Sequence, residues 1–151
     1  MDLTPPLLGR AAIARLVPHS GAMCLLDRAL AWDAEGIVCE AEGHRDPGNP
    51  LRRDGRLPAI CGVEYALQAM ALHGALTAGG GAAQPAGYLS SLRDVSLGGG
   101  AERLDTVPGP LRVRARALAA EAGGFIYRFE VEGGGRVLLA GQAAIILPRG
   151  A

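Results

Sequence analysis

The chain has 151 residues and no lysine: all 15 basic residues are arginine, balanced by 15 acidic ones to a formal net charge of zero. Without lysine, a Schiff-base lysine is excluded. With no basic run longer than Arg52–Arg53, the electrostatic footprint of a nucleic-acid-binding protein is missing. Cysteine is scarce. Cys24, Cys39 and Cys61 are odd in number and lie far apart, which argues against a disulfide framework or a zinc site and fits small buried thiols in a reducing compartment. No HxH or HExxH spacing is present, so His44, Asp46 and Glu64 do not read as metal ligands. The glycine-rich stretches at 79–81, 98–100 and 133–135 do not follow phosphate-loop spacing. Ser90–Ser91 lacks the GxSxG context of a nucleophile elbow. The start, MDLTPPLLGR, has no charged segment leading into an apolar one, so no signal peptide is expected and the expected location is cytoplasmic.

What is present is apolar: 49% of residues, which opposes intrinsic disorder and suits a single domain over 1–151. The densest apolar stretch, PAICGVEYALQAMALHGALT at 58–77, reads as one helix, apolar nearly all round and therefore buried. Its length approaches a membrane span, but Glu64, Gln68 and His73 within it exclude that reading. Glu64 and Gln68 are four apart and share a face. A carboxyl on a buried helix is costly unless neutral or paired. Two readings stay open: a polar face turned to a subunit interface or hydrogen-bond network, or a general acid with a raised pKa. His73 reads as a helix-end residue.

Around this helix the chain alternates. Residues 8–16 suit a short helix ending before Pro18, and Pro18–His19 a turn. Residues 23–32 and 37–42 suit a hairpin. The stretch 43–58, GHRDPGNPLRRDGRLP, has no periodicity and reads as a long loop of the kind that often carries function. His44 at its head is either a solvated loop histidine or a general base held near Glu64. Beyond the helix, 87–97, 111–118, 125–132 and 136–147 read as strands, the second and third alternating cleanly between apolar and polar. The order predicts an α+β domain, an antiparallel sheet wrapped around one long helix.

Three segments carry a resemblance. PAICGVEYALQ resembles the PG-V-x-x-x-E-x-x-x-Q motif of the hotdog-fold β-hydroxyacyl-acyl-carrier-protein dehydratases. LVPHSGAMCLLDR is similar to that family's LPHR-x-x-x-L-L-V-D-R segment, and GHRDPGNP to its GHFPG-x-P segment. Together they span roughly 13–147, and the long-loop pattern is closest to the dehydratase-like subunits of aryl-polyene and xanthomonadin pigment pathways. The resemblance implies a dimeric hotdog fold that dehydrates 3-hydroxyacyl thioesters on an acyl-carrier protein to trans-2-enoyl thioesters, without metal or redox cofactor. It places His44 as base and Glu64 as acid, contributed by different subunits of a homodimer or of a heterodimer with a second hotdog chain. It implies that the Ala59 and Ile60 N–H groups polarise the thioester carbonyl and that Gln68 orients Glu64. A hotdog thioesterase, or a weakly active or non-catalytic subunit of a heterodimer, is the alternative. Three departures stand out. The 44–58 spacing is six residues longer than the family's, Ala59 stands at a motif glycine, and Ser20 at a family arginine.

Overall fold

A computed structural model describes residues 8–17, 21–77, 88–98, 103–121 and 123–146. The elements, in order, are β1 (Leu8–Gly9), α1 (Arg10–Leu16), β2 (Arg28–Trp32), β3 (Gly36–Ala41), α2 (Gly62–Thr77), β4 (Tyr88–Leu97), β5 (Leu111–Glu121), β6 (Gly124–Gly133) and β7 (Arg136–Ile146). Short 3₁₀ turns at Gly21–Met23, Gly43–Arg45 and Ala59–Cys61 punctuate the loops. The hairpin expected at 23–32 and 37–42 forms as β2–β3, with its first strand starting only at Arg28.

The strands form one antiparallel sheet of seven in the order β1-β2-β3-β5-β6-β7-β4. Period-two patterning decides its faces. Ile37, Cys39 and Ala41 of β3, Leu111, Val113 and Ala115 of β5, and Tyr127, Phe129 and Val131 of β6 are buried. They line the side that meets α2, which packs on β3, β5 and β6. Arginine and glutamate alternate with them on the far face. There Arg112 spans to Glu40 at 2.8 Å and Arg114 to Glu132 at 2.9 Å across the ladder. β7 is interior to the sheet, as its apolar run leads one to expect, and β4 forms an edge.

The helix begins later than the sequence suggests. Pro58 precedes the 3₁₀ turn at Ala59–Cys61, and α-helical geometry starts at Gly62. Gly62 is where helix and sheet come closest: a Cβ there would lie 2.8 Å from Leu139 Cδ2. Ten residues of α2 are buried. Of the other six, Glu64, Leu67, Ala71 and Gly74 are half-buried and recur at three- and four-residue steps, so they form one stripe along the helix, while Leu76 and Thr77 lie in its last turn. Exposed Ile60 and half-buried Cys61 lie just before the start of that stripe.

Candidate active site

The long loop is ordered by its own polar residues. Asp46 accepts a bond from Gly48 N at 2.8 Å, and its carbonyl accepts one from Asn49 N at 3.0 Å. Asp54 and Gly55, with φ of 51° and 76°, make a two-residue turn between Arg53 and Arg56, which exchange backbone bonds of 2.7 and 2.9 Å. Arg52 reaches back with bonds to the carbonyls of Arg45, Asp46 and Gly55. The insertion is thus a small folded hairpin. It is joined to the loop before β5: Leu104 N donates to Leu57 O at 2.7 Å, and Leu57 N donates to Asp105 Oδ1 at 2.9 Å.

His44 sits in the 3₁₀ turn between β3 and this hairpin and is buried, at 1% exposure. It is not the solvated loop residue that its position in sequence allows. Its Nε2 lies 3.0 Å from the Val107 carbonyl oxygen. A carbonyl only accepts, so Nε2 carries the proton in that bond. Nδ1 is buried and has no hydrogen-bond partner among the described residues. Burial pushes the imidazole pKa below its ordinary value, against the opposing pull of the backbone at Val107 and Gly109 and of the Asp105 charge. The neutral Nε2–H tautomer follows, with a bare lone pair on Nδ1.

The start of α2 presents the other groups. Ala59 and Ile60 open the helical run, where the first N–H groups have no intrahelical acceptor and the helix dipole is positive. Ala59 is buried and Ile60 half-exposed, at 1% and 49%. Ala59 is not among the residues with positive φ, so a side chain is tolerated there without backbone strain. Glu64 lies in the first turn of α2. A fully buried carboxyl was expected; within one chain Glu64 is half-buried, because it falls on the helix stripe that the sheet leaves uncovered.

Gln68 is fully buried, and its amide is engaged with backbone. Oε1 accepts from Leu25 N at 2.8 Å, and Nε2 donates to Met23 O at 2.6 Å. It ties α2 to the segment leading into β2, a different use from the orientation of Glu64 that the resemblance implies. His19 lies outside the described residues.

The sequence model of the family described as "ApeP-like: ApeP dehydratase" matches residues 11–151. The chain belongs to the ApeP-like dehydratase family. Among solved structures it is similar to the dehydratase heterocomplex ApeI:P from Xenorhabdus doucetiae, with a TM-score of 0.78 and 21% identity over 91% of each chain. It is also similar to AziG from S. sahachiroi, with a TM-score of 0.57 and 15% identity over 80% of this chain and 90% of that one. A mutant thioesterase from Pseudomonas aeruginosa matches with a TM-score of 0.53 and 16% identity over 80% of this chain and 81% of that one. At these identities the structural matches speak for a shared hotdog fold. No curated protein matches the sequence.

Sequence reasoning missed three residues that organise the site of this ApeP-like chain. Asn49 Nδ2 donates to Gly43 O and to Tyr65 Oη, both at 3.1 Å, and so links the turn holding His44 to the first turns of α2. Asp105 fastens the loop before β5 to the long hairpin. Tyr65 and Asn49 lie in stretches whose motifs draw the eye to Glu64 and His44. Asp105 lies in a loop with no periodicity, where only its bracketing by Arg103 and the prolines hinted at order. His73 is more than a helix-end residue: buried at 2% exposure, it bonds Tyr127 Oη at 2.8 Å through Nδ1 and the Asp33 carbonyl at 2.9 Å through Nε2. It anchors the far end of α2, away from His44.

A cleft of about 300 Å³ lies beside the His44 turn, lined in part by Arg10, Asp27, Gly43, Asp46 and Asn49. A larger one of about 360 Å³ lies between β3, β5 and β6 on the arginine-bearing face, among Arg114, Arg116 and Arg128. That one opens on the face opposite α2 and holds none of the motif residues. Among the described residues no group of three or more His, Cys, Asp or Glu could hold a metal ion, and no helix is long and apolar enough to cross a membrane.

Proposed function

We propose that this chain is a 3-hydroxyacyl thioester dehydratase acting on acyl groups borne by an acyl-carrier protein, and that its site is completed by a second hotdog subunit. The observation that carries the reading is the setting of His44: buried, with Nε2 bonded to Val107 O and no hydrogen-bond partner at Nδ1 among the described residues, which suits a neutral ring with its lone pair on Nδ1. Such a nitrogen is a base without the need to lose a proton first.

In this reading Nδ1 of His44 takes the α-proton of the thioester. The electrons shift through the enolate to form the α,β double bond. The β-hydroxyl leaves as water with a proton supplied by Glu64. Negative charge that builds on the thioester oxygen meets the Ala59 and Ile60 N–H groups at the start of the helical run. Ala59 is not at positive φ, so the alanine methyl stands at this position without backbone strain. The chemistry balances with no oxidant or reductant, and the reading invokes no metal and no cofactor.

A second subunit is supported from two sides. Glu64 lies on a half-open stripe with Leu67, Ala71 and Gly74 that the sheet of its own chain does not cover. Ala71 and Gly74, the small residues of that stripe, suit close approach by another apolar surface. Burial under such a surface would keep Glu64 protonated, as an acid requires. Among the described residues strand β4 forms an edge of the sheet, with Leu89, Leu92 and Leu97 exposed on it, a surface that natural sheets normally cover. The similarity to a subunit of a dehydratase heterocomplex favours a second hotdog chain as that cover.

The test is to look for a second hotdog chain that co-purifies with this one, to offer 3-hydroxyacyl thioesters to the chain alone and with any such partner, and to follow the enoyl product. Free thiol without enoyl product would turn the reading towards a thioesterase, whose fold is also among the structural relatives.

A further inference from the structure

We propose that Asp105 is a positioning residue for His44, holding both the carbonyl that fixes the tautomer of the ring and the backbone beside it. The inference rests on the assignment of His44 as the base, and adds the device that keeps it one.

The geometry runs through two connections. In the first, Asp105 Oδ1 accepts from Leu57 N at 2.9 Å, while Leu104 N donates to Leu57 O at 2.7 Å. These two bonds fasten the loop before β5 to the end of the long hairpin. Val107 N then donates to Leu104 O at 3.0 Å, which closes the turn, and Val107 O receives Nε2 of His44 at 3.0 Å. In the second, the Asp105 carboxylate pairs with Arg52 at 3.8 Å. Arg52 donates to the carbonyl of Arg45, the neighbour of His44, at 3.0 Å. The Arg103 guanidinium grips the same carboxylate with both Nε and Nη2.

The carboxylate is nearly closed from solvent, at 4% side-chain exposure. A buried carboxylate is tolerated only with such a set of donors. Here the donors come from the hairpin (Leu57, Arg52) and from the loop (Arg103), so one charge fixes one segment against the other. Without it, the Leu104 N–Leu57 O bond remains, but the ties of the carboxylate to Leu57 N, Arg52 and Arg103 are lost, and the loop that holds Val107 O in line with Nε2 loosens. The ring could then turn, or take its proton on Nδ1, which would abolish the base. Asp105 does not touch His44 by any hydrogen bond, so it acts through the loop.

The experiment uses the full chain, wild type and with Asp105→Ala or Asp105→Asn. Two readouts are taken: the ¹⁵N–¹H pattern of the His44 ring at neutral pH, and kcat and KM for a 3-hydroxyacyl thioester in the presence of the second subunit. In wild type the ring shows the Nε2–H tautomer alone. In Asp105→Ala the ring shows mixed tautomers, and kcat falls about ten- to hundredfold with KM within about twofold. The acid limb of the kcat profile moves to higher pH as water reaches the ring. Losing the Asp105 charge alone would move it the other way, since that charge raises the pKa of His44. Asp105→Asn keeps an acceptor for Leu57 N and gives an intermediate result, which also serves if the alanine variant does not fold. A His44 ring identical to wild type in the folded variants overturns the proposal. Absence of dehydration by wild type would overturn the functional reading instead, and the ring spectra would still judge Asp105.

Discussion

Nε2 of His44 donates to the carbonyl oxygen of Val107 at 3.0 Å, across 63 positions of sequence. That one bond joins the turn after β3 to the loop before β5 and sets which nitrogen of the ring is bare. It also gives a pH prediction. The imidazole pKa is lowered by burial, so the unfolded chain takes up this proton first as pH falls below about 6.5. Stability is therefore unaffected by His44 above that pH and declines below it, until the folded-state pKa is passed. Urea unfolding at pH 7.5 and 5.5 should show a lower midpoint at the acid value, and the difference should shrink in His44→Gln.

Gln68 predicts a loss of stability before a loss of binding. Gln68→Leu removes partners from Leu25 N and Met23 O, at a cost of roughly 2–4 kcal/mol for two deprived backbone groups. Thermal unfolding should register it. A variant that melts like wild type but has a raised KM would instead give Gln68 a direct role in substrate binding.

Ala59→Gly restores the residue of the wider dehydratase motif. Ala59 is buried and not at positive φ, so the change should destabilise by about 0.5–1 kcal/mol and leave kcat within about twofold. A large gain in kcat would mean that the alanine methyl obstructs the oxyanion contact.

Gly62→Ala would push a methyl to 2.8 Å from Leu139 Cδ2 where α2 meets the sheet. Overpacking there should cost about 1–3 kcal/mol and displace the first turn of the helix, lowering kcat together with stability. Tyr127→Phe, which strips His73 Nδ1 of its partner at the far end of the helix, should cost about 1–2 kcal/mol and leave kcat unchanged. The two variants separate the end of α2 that serves the site from the end that serves the fold.

The sheet was legible in the sequence because β5 and β6 alternate strictly and bury one face. The long helix was legible from its apolar run, although its 3₁₀ start at Ala59–Cys61 was not, since no residue pattern there separates a 3₁₀ turn from the first turn of an α-helix. His44 and Glu64 were legible through motif order. Their environments were not. The burial of His44 involves the loop before β5, whose Val107 carbonyl it bonds from 63 positions away, and the half-open position of Glu64 depends on which helix face the sheet covers. The hairpin within 43–58 is built from Asx turns and a left-handed Asp54–Gly55 pair, signals too local to distinguish an ordered insertion from a loose one.

The most direct measurement compares wild type, His44→Ala and Glu64→Gln in dehydration of a 3-hydroxyacyl thioester, each assembled with the second hotdog subunit. A mixed assembly carrying one variant on each chain completes the set where the subunits are identical. The account predicts enoyl product from wild type and a loss of about 10²–10⁴-fold in kcat for either variant, with the folded state retained by circular dichroism. Full activity in either variant would contradict it.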